Sequence, residues 1–358
     1  MTKISIIIPV YNVRDYIERC LESILRQDFR DYELLINDDG SSDGTSEICD
    51  RYAQKDARIQ VFHQTNSGVS TARNRMIEKA HGKYTLFFDG DDYLEENALQ
   101  LLWDTAQKSD ADSILFGYRF VPISGMVETH LPKFEKDIYE KQEISHSVIP
   151  RFIGVSYMDI DAWLHGKQDA LKKENTALWR SMIRSSVIKD NNLRFIPELK
   201  VGEDTCFTVE YLSFCNRIVV LNKALYNLVE RETSAIYTYE KNSLAVLEGK
   251  TRLLKARRSL TEKIFERTRV DIESYWYGTV VMSVVQLSFL LSESSNVSGF
   301  QSLMKYINQP ETRSAIEKMP HYRGGIKAMP FLLIRRRMFH LLFLSTWTLN
   351  RMGYKFER

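Results

Sequence analysis

Three aspartates, Asp89, Asp91 and Asp92, stand within four positions directly after the apolar run Leu86-Phe87-Phe88. Adjacent carboxylates repel unless a cation or hydrogen-bond donors compensate. Hard divalent ions take oxygen ligands, and Mg2+ typically binds through one or two carboxylates together with substrate phosphates. The stretch therefore reads as a seat for Mg2+ or Mn2+, which would neutralise a diphosphate leaving group. The plainer reading is an acidic turn before a helix, favoured by the helix dipole. A second acidic turn, "DDGSSDG" (38–44), contributes Asp38 and Asp39, and its composition suits a turn with no other duty. A third group, Glu203 and Asp204 in "GEDTCF", suits either a helix N-terminus or a general base.

Other chemistries are disfavoured. The first apolar run is not followed by G-x-G-x-x-G, and no G-x-x-x-x-G-K-[ST] or G-x-S-x-G stretch occurs. "DGDDYLEE" fails as a calcium loop because Leu94 stands where that loop needs glycine. The four cysteines show no metal-ligand spacing and read as reduced structural thiols. His63, His81 and His165 stand singly and receive no role. With 49 basic and 47 acidic residues, net charge +2, the total gives no argument for nucleic-acid binding.

The elements that must position these residues follow from periodicity. "ISIIIPV" (4–10), "YELLIN" (32–37), "IQVFH" (59–63), "KYTLFF" (83–88) and "SILFGYRF" (113–120) read as strands. Between them, 12–27, 45–55, 68–80 and 96–109 read as helices. Asn12 is a candidate N-cap, with Asp15 three residues on. This alternation predicts an α/β fold, with a mostly parallel sheet covered on both faces. Ligands of such sheets sit beyond the carboxyl ends of the strands. Tyr11, Asp38, Asp39, Asp89, Asp91 and Asp92 all follow such ends and should gather on one rim. From about residue 240 the pattern is mainly helical. The N-terminus lacks the features of a signal peptide, and no uninterrupted apolar stretch of about 18 residues occurs, so no spanning helix is expected.

Residues 1–100 resemble the family 2 glycosyltransferases. The matching stretches are "SIIIPVYNVRDYIERCLESILRQ", "YELLINDDGSSDGT", "NSGVSTARNRMIEKAHGKY" and "LFFDGDDYL". The resemblance implies a GT-A fold, a nucleotide-diphosphate sugar donor (a UDP-sugar above others) and Mn2+ or Mg2+. It places Asp39, with Asp38 beside it, at the nucleotide base, and the Pro9-Val10-Tyr11 turn nearby. Arg73 falls near the nucleotide and diphosphate, and the D-x-D motif on Asp89-Gly90-Asp91. Asp91 and Asp92 are the expected metal ligands. Asp204 resembles the base of an inverting transfer, with Glu203 as neighbour. Glu203, Arg231 and Trp179 are candidate acceptor or diphosphate contacts, and Trp163 a further sugar platform. The acceptor would be a saccharide, a lipid-linked saccharide or a glycoprotein, in bacterial surface polysaccharide or glycoconjugate assembly on the cytoplasmic face of the membrane. Two rivals are a phosphohydrolase with Asp89 as nucleophile and a sugar- or partner-binding module without turnover. The phosphohydrolase would place D-x-D after its first strand, whereas here it follows the fourth.

The expected division is a nucleotide-sugar half at 1–115, an acceptor half at 116–240 and a helical region at 241–358. The tail 324–358 combines basic residues with Phe331, Phe339, Phe343, Trp347 and Tyr354. Such a segment suits an interfacial anchor on an anionic leaflet or a helix pair packed on protein.

Overall fold

The structure is a computed structural model describing residues 2–231, 242–270, 272–294 and 297–354. It divides into two compact units: Met1–Ile149 with Glu174–Ser234, and Pro150–Lys173 with Ala235–Arg358. Residues 150–173, placed in the acceptor half by sequence, thus group with the C-terminal helices.

The first unit is built on one sheet. Its strands are β1 (Ile4–Val10), β2 (Tyr32–Asp38), β3 (Ile59–His63), β4 (Tyr84–Phe87), β5 (Tyr93–Leu94), β6 (Ser113–Val121), β7 (Glu128–His130), β8 (Ile138–Glu140), β9 (Ser181–Arg184) and β10 (Arg217–Val229). The order is β3-β2-β1-β4-β9-β6-β10-β5, with β7 on β6 and β8 on β10. Its helices are α1 (Arg14–Leu25), α2 (Thr45–Ala53), α3 (Val69–Lys79), α4 (Ala98–Ser109) and the short α5 (Lys141–Glu143). After α6 (Pro150–Ile153) and α7 (Tyr157–Leu164), which belong to the second unit, come α8 (Ser185–Asp190) and α9 (Glu203–Leu212).

The ladder β3-β2-β1-β4 is parallel, with Val10 opposite Asp38 and Ile7 opposite Phe87. Helices cover both faces, so β1 is almost wholly apolar, as a parallel strand buried on two sides requires, and its one polar side chain, Ser5, donates to Glu33 Oε1 (2.6 Å). Ile17, Cys20, Leu21 and Ile24 form the buried stripe of α1, at the spacing the sequence shows. Asn12, however, is not the N-cap. It sits at φ 51°, and its side chain accepts from Ser42 N, so it ties the 38–44 turn to the end of β1. Strand β9, which the sequence reading left unassigned, lies antiparallel between β4 and β6. Four residues are too few to show a period; pairing with neighbours distant in sequence makes them a strand.

The second unit adds α10 (Ser243–Thr268), α11 (Glu273–Ser294), α12 (Val297–Ile307), α13 (Pro310–Lys318), α14 (Met329–Arg335) and α15 (Phe339–Arg351) to α6 and α7. Glu273–Glu293, within α11, is long and apolar enough to cross a membrane. Its Val281, Val284 and Leu287 are fully buried in the core of this unit. The tail helices pack on the same core through Phe331, Ile334, Leu342 and Phe343. Asn350 Nδ2 donates to Phe289 O (2.8 Å), fastening α15 to α11. Lys355 and Arg358, counted in the basic tail, lie outside the described residues.

Candidate active site

The parallel ladder brings the ends of β1, β2 and β4 to one rim. Gly90 makes that approach close: a Cβ there would stand 2.8 Å from Val10 Cγ1. The D-G-D turn therefore rests directly on the end of β1, and glycine is required for packing, not for its φ.

Asp38 and Asp39 are both buried and hydrogen-bonded. Asp38 Oδ1 accepts from Ser41 N (3.0 Å), and Oδ2 from Ser46 Oγ (2.5 Å), with His63 Nδ1 3.0 Å away. Burial pushes this carboxyl up, but the bonds from Ser41, Ser46 and His63 outweigh it and hold the pKa below the usual range. Asp39 Oδ1 accepts from Gln64 Nε2 and Ser67 N, both 2.7 Å, and Oδ2 from Gly68 N (2.8 Å). It fixes the 64–68 loop that leads into α3. Beside them Tyr11 is exposed, whereas Val10 is buried.

The three aspartates of the D-x-D stretch point to three different partners. Asp89 Oδ1 accepts from Arg73 Nη2 (3.2 Å). Asp91 pairs with Arg231 Nε, and the Arg231 guanidinium lies 5.6 Å from the Tyr16 ring centroid. Asp92 turns inward: Oδ2 accepts from Tyr226 Oη (2.6 Å) and Oδ1 from Val229 N (2.8 Å). At 1% exposure, with a protein donor on each oxygen, Asp92 does not fit the metal-ligand role expected of it. Burial, then Asp91 and Asp89, push its pKa well up. Burial and Asp89 also raise Asp91, against the pull of Arg231.

Arg73 joins this turn to α9. Its Nη1 donates to Asp204 Oδ1 (2.7 Å) and lies 3.7 Å from Glu203 Oε1. Its guanidinium lies over the Phe195 ring, 5.3 Å from the centroid. Burial opposes the charge, but Asp204, Asp89 and Glu203 together keep the arginine protonated. Burial raises Asp204, while Arg73 pulls it down. Glu203 is raised to about 7 by burial and by Asp204.

Two expected contacts fall elsewhere. Trp179 is buried and stacked on Tyr226 (4.4 Å between centroids, 9° between planes), so it is a core residue and not an acceptor platform. Trp163 belongs to the second unit. Sequence reasoning passed over Tyr226 as a support for Asp92, and Phe195 beneath Arg73. Tyr226 stands five residues before Arg231 in "YNLVERETSA" (226–235), of which residues 232–235 lie outside the described residues.

Residues 5–160 match the description "Glycosyl transferase family 2". That segment, somewhat under half of the chain, is a family 2 glycosyltransferase domain. It is 33% identical over 237 residues to the uncharacterized glycosyltransferase EpsJ of Bacillus subtilis, covering 64% of this chain and 62% of that one. It is 29% identical over 263 residues to the poly(ribitol-phosphate) beta-glucosyltransferase of Bacillus spizizenii, covering 71% of this chain and 37% of that one. The chain thus spans less than two thirds of the length of either relative. The crystal structure of Staphylococcus aureus TarS 1-349 in complex with UDP-GlcNAc superposes with TM-score 0.62 at 22% identity, over 99% of this chain and 93% of that one. That likeness shows the fold: a GT-A unit with a helical C-terminal region.

Proposed function

We propose that the protein transfers a sugar from a UDP-sugar to an acceptor hydroxyl with inversion, in bacterial polysaccharide or glycoconjugate assembly. The observation that carries this reading is Arg73, which holds Asp89 of the acidic turn and Asp204 of α9 on one guanidinium. A diphosphate seat and a basic carboxylate then lie side by side, as displacement at an anomeric carbon needs. Asp204 is the base: Arg73 favours its ionised form, and burial raises its basicity. Asp38 and Asp39 line the base end of the nucleotide, where a base N–H would take the place of the Gln64 amide on Asp39.

No cluster of three His, Cys, Asp or Glu forms a metal cage among the described residues. A metal held by one or two carboxylates plus phosphates needs no such cage. Asp89 and Asp91, with side chains 33% and 15% exposed, fit that donor set and would hold Mn2+ or Mg2+. The ion would neutralise charge on the departing diphosphate. Arg231, released from Asp91, would face the same phosphates. The acceptors we propose are saccharides, lipid-linked saccharides or glycoproteins.

The test is a donor screen with Mn2+ present, followed by Asp204→Asn. The variant should keep UDP-sugar affinity within about twofold and lose about 1,000-fold or more in turnover. Turnover close to that of the unmodified enzyme would remove Asp204 from the role of base.

We also place the protein on the inner face of the membrane, in peripheral contact through Arg335, Arg336 and the exposed Leu341 and Leu344. Because the inner face of α15 is core, point variants test this better than deletion. Leu341→Glu should reduce sedimentation with anionic vesicles about tenfold, and equal sedimentation would exclude the contact.

A further inference from the structure

The second unit encloses a cavity of about 1760 Å³, bounded by α10, α11, α14, α15 and the 155–173 segment. Ordinary small-molecule sites hold roughly 300–1,000 Å³. Leu253, Val280, Met282, Phe289 and Leu333 give it aliphatic and aromatic walls. Its charged lining is one-sided: Lys172, Lys173, Lys250, Arg257 and Lys327 face it, and no Asp or Glu does among the described residues. Lys172 and Lys173 pair with Asp169 and Asp159 (2.7 Å each), which are not part of the lining, so the field aimed at an anion centres on Lys250 with Arg257 near it.

Lys250 stands among the lining residues of α10. Its Nζ donates to Gln286 Oε1 (3.0 Å) and Ser283 Oγ (3.5 Å), and no carboxylate pairs with it among the described residues. An ammonium has three donors, so one remains without a protein acceptor. The indole Nε1–H of Trp276, buried in the same wall, also has no partner. Burial beside Arg257 lowers the Lys250 pKa to about 8. Some of its surface stays accessible because it faces the cavity. Buried, unpaired cations of this kind are costly and mark functional sites. The mouth is apolar: Ile326 is 83% exposed, and Leu341, Leu344 and Tyr354 are exposed beside it.

We propose that this cavity binds one lipid monophosphate, with its aliphatic or isoprenoid chain along the apolar wall and its phosphate on Lys250 beside Arg257. A free nucleotide or sugar would leave the aliphatic walls unmatched, and a neutral lipid would leave Lys250 unpaired. The proposal does not depend on the transfer reading, because binding is measured with no donor present.

Dodecyl phosphate, dodecanol and inorganic phosphate, each below any micelle concentration, are titrated against the full-length protein. Tryptophan fluorescence reports the cavity through Trp163 and Trp276, and native mass spectrometry gives stoichiometry. One dodecyl phosphate per chain should bind, about tenfold or more tighter than dodecanol. Lys250→Met should abolish that preference while holding dodecanol affinity within about twofold. Leu344→Glu, an exposed change at the mouth, should weaken dodecyl phosphate by about tenfold with an unchanged melting temperature. Equal affinity for the two alkyl probes, or full binding by Lys250→Met, would overturn the proposal. So would inorganic phosphate binding as tightly as dodecyl phosphate, or uptake of many probe molecules per chain.

Discussion

Asp91 and Asp92 are neighbours in sequence with opposite fates. Asp91 faces Arg231 at the rim, whereas Asp92 is enclosed by Tyr226 and Val229. Burial, then Asp91 and Asp89, push the Asp92 carboxyl well up, and Tyr226 and Val229 each donate to one of its oxygens, so it offers no free oxygen to an ion. Asp91→Asn should therefore weaken Mn2+-dependent UDP-sugar binding by about tenfold, while Asp92→Asn should leave it within about twofold. Calorimetric titration with and without Mn2+ checks this; equal losses in the two variants would return Asp92 to the metal site. The acidity of the stretch was legible in its composition. Which aspartate faces outward was not, because Tyr226 lies 134 residues further along the chain.

At the scale of elements, strand ends and turns are tied by side chains that periodicity does not reveal. His63 ends β3 and lies 3.0 Å from both Asp38, at the end of β2, and Asp50 in α2. Its hydrogen bond to Asp38 is the main cause of its raised pKa. A histidine held above its unfolded pKa contributes stability that is fully present below that unfolded value, near 6.5, and is lost as pH rises through the folded value. The side chain is 46% exposed, so solvent screening limits the effect to about 1 kcal/mol. His63→Gln should thus lower stability by about that amount at pH 5.5 and by little at pH 9 in urea titrations. A pH-independent loss would show that the bond matters as a neutral contact only. The strands and helices of the first hundred residues were legible because each carries its own period. Strand β9 was not, since it is defined by partners roughly 70 to 100 residues away.

At the scale of the whole molecule, each of the two units has its own apolar core, and the second carries a largely buried cation that works against folding. Burial beside Arg257 lowers Lys250 from 10.5 to about 8. A base held below its unfolded pKa destabilises the fold in full below about pH 8, and the cost is relieved as pH rises toward 10.5. At roughly 1.4 kcal/mol per unit, the cost approaches about 3 kcal/mol. Lys250→Met should raise the melting temperature at pH 7, with the gain gone near pH 10.5. A lower melting temperature at pH 7 would mean that the bonds to Gln286 and Ser283 outweigh the desolvation.

By itself the sequence determined the α/β class, the order of the first strands and helices, and the acidic residues on the rim. Each of these is written within some ten or twenty adjacent residues: an apolar period, a turn composition, a D-x-D spacing. Tertiary structure alone decided that Arg73 joins Asp89 to Asp204, which lies 131 residues from it. It also decided that residues 150–173 belong with the C-terminal helices and that five cations face one apolar cavity. The physical reason is common to all three. Local order follows from side-chain spacing along the chain, whereas the pairing of charges and the walls of a cavity depend on which distant segments burial of apolar surface brings together.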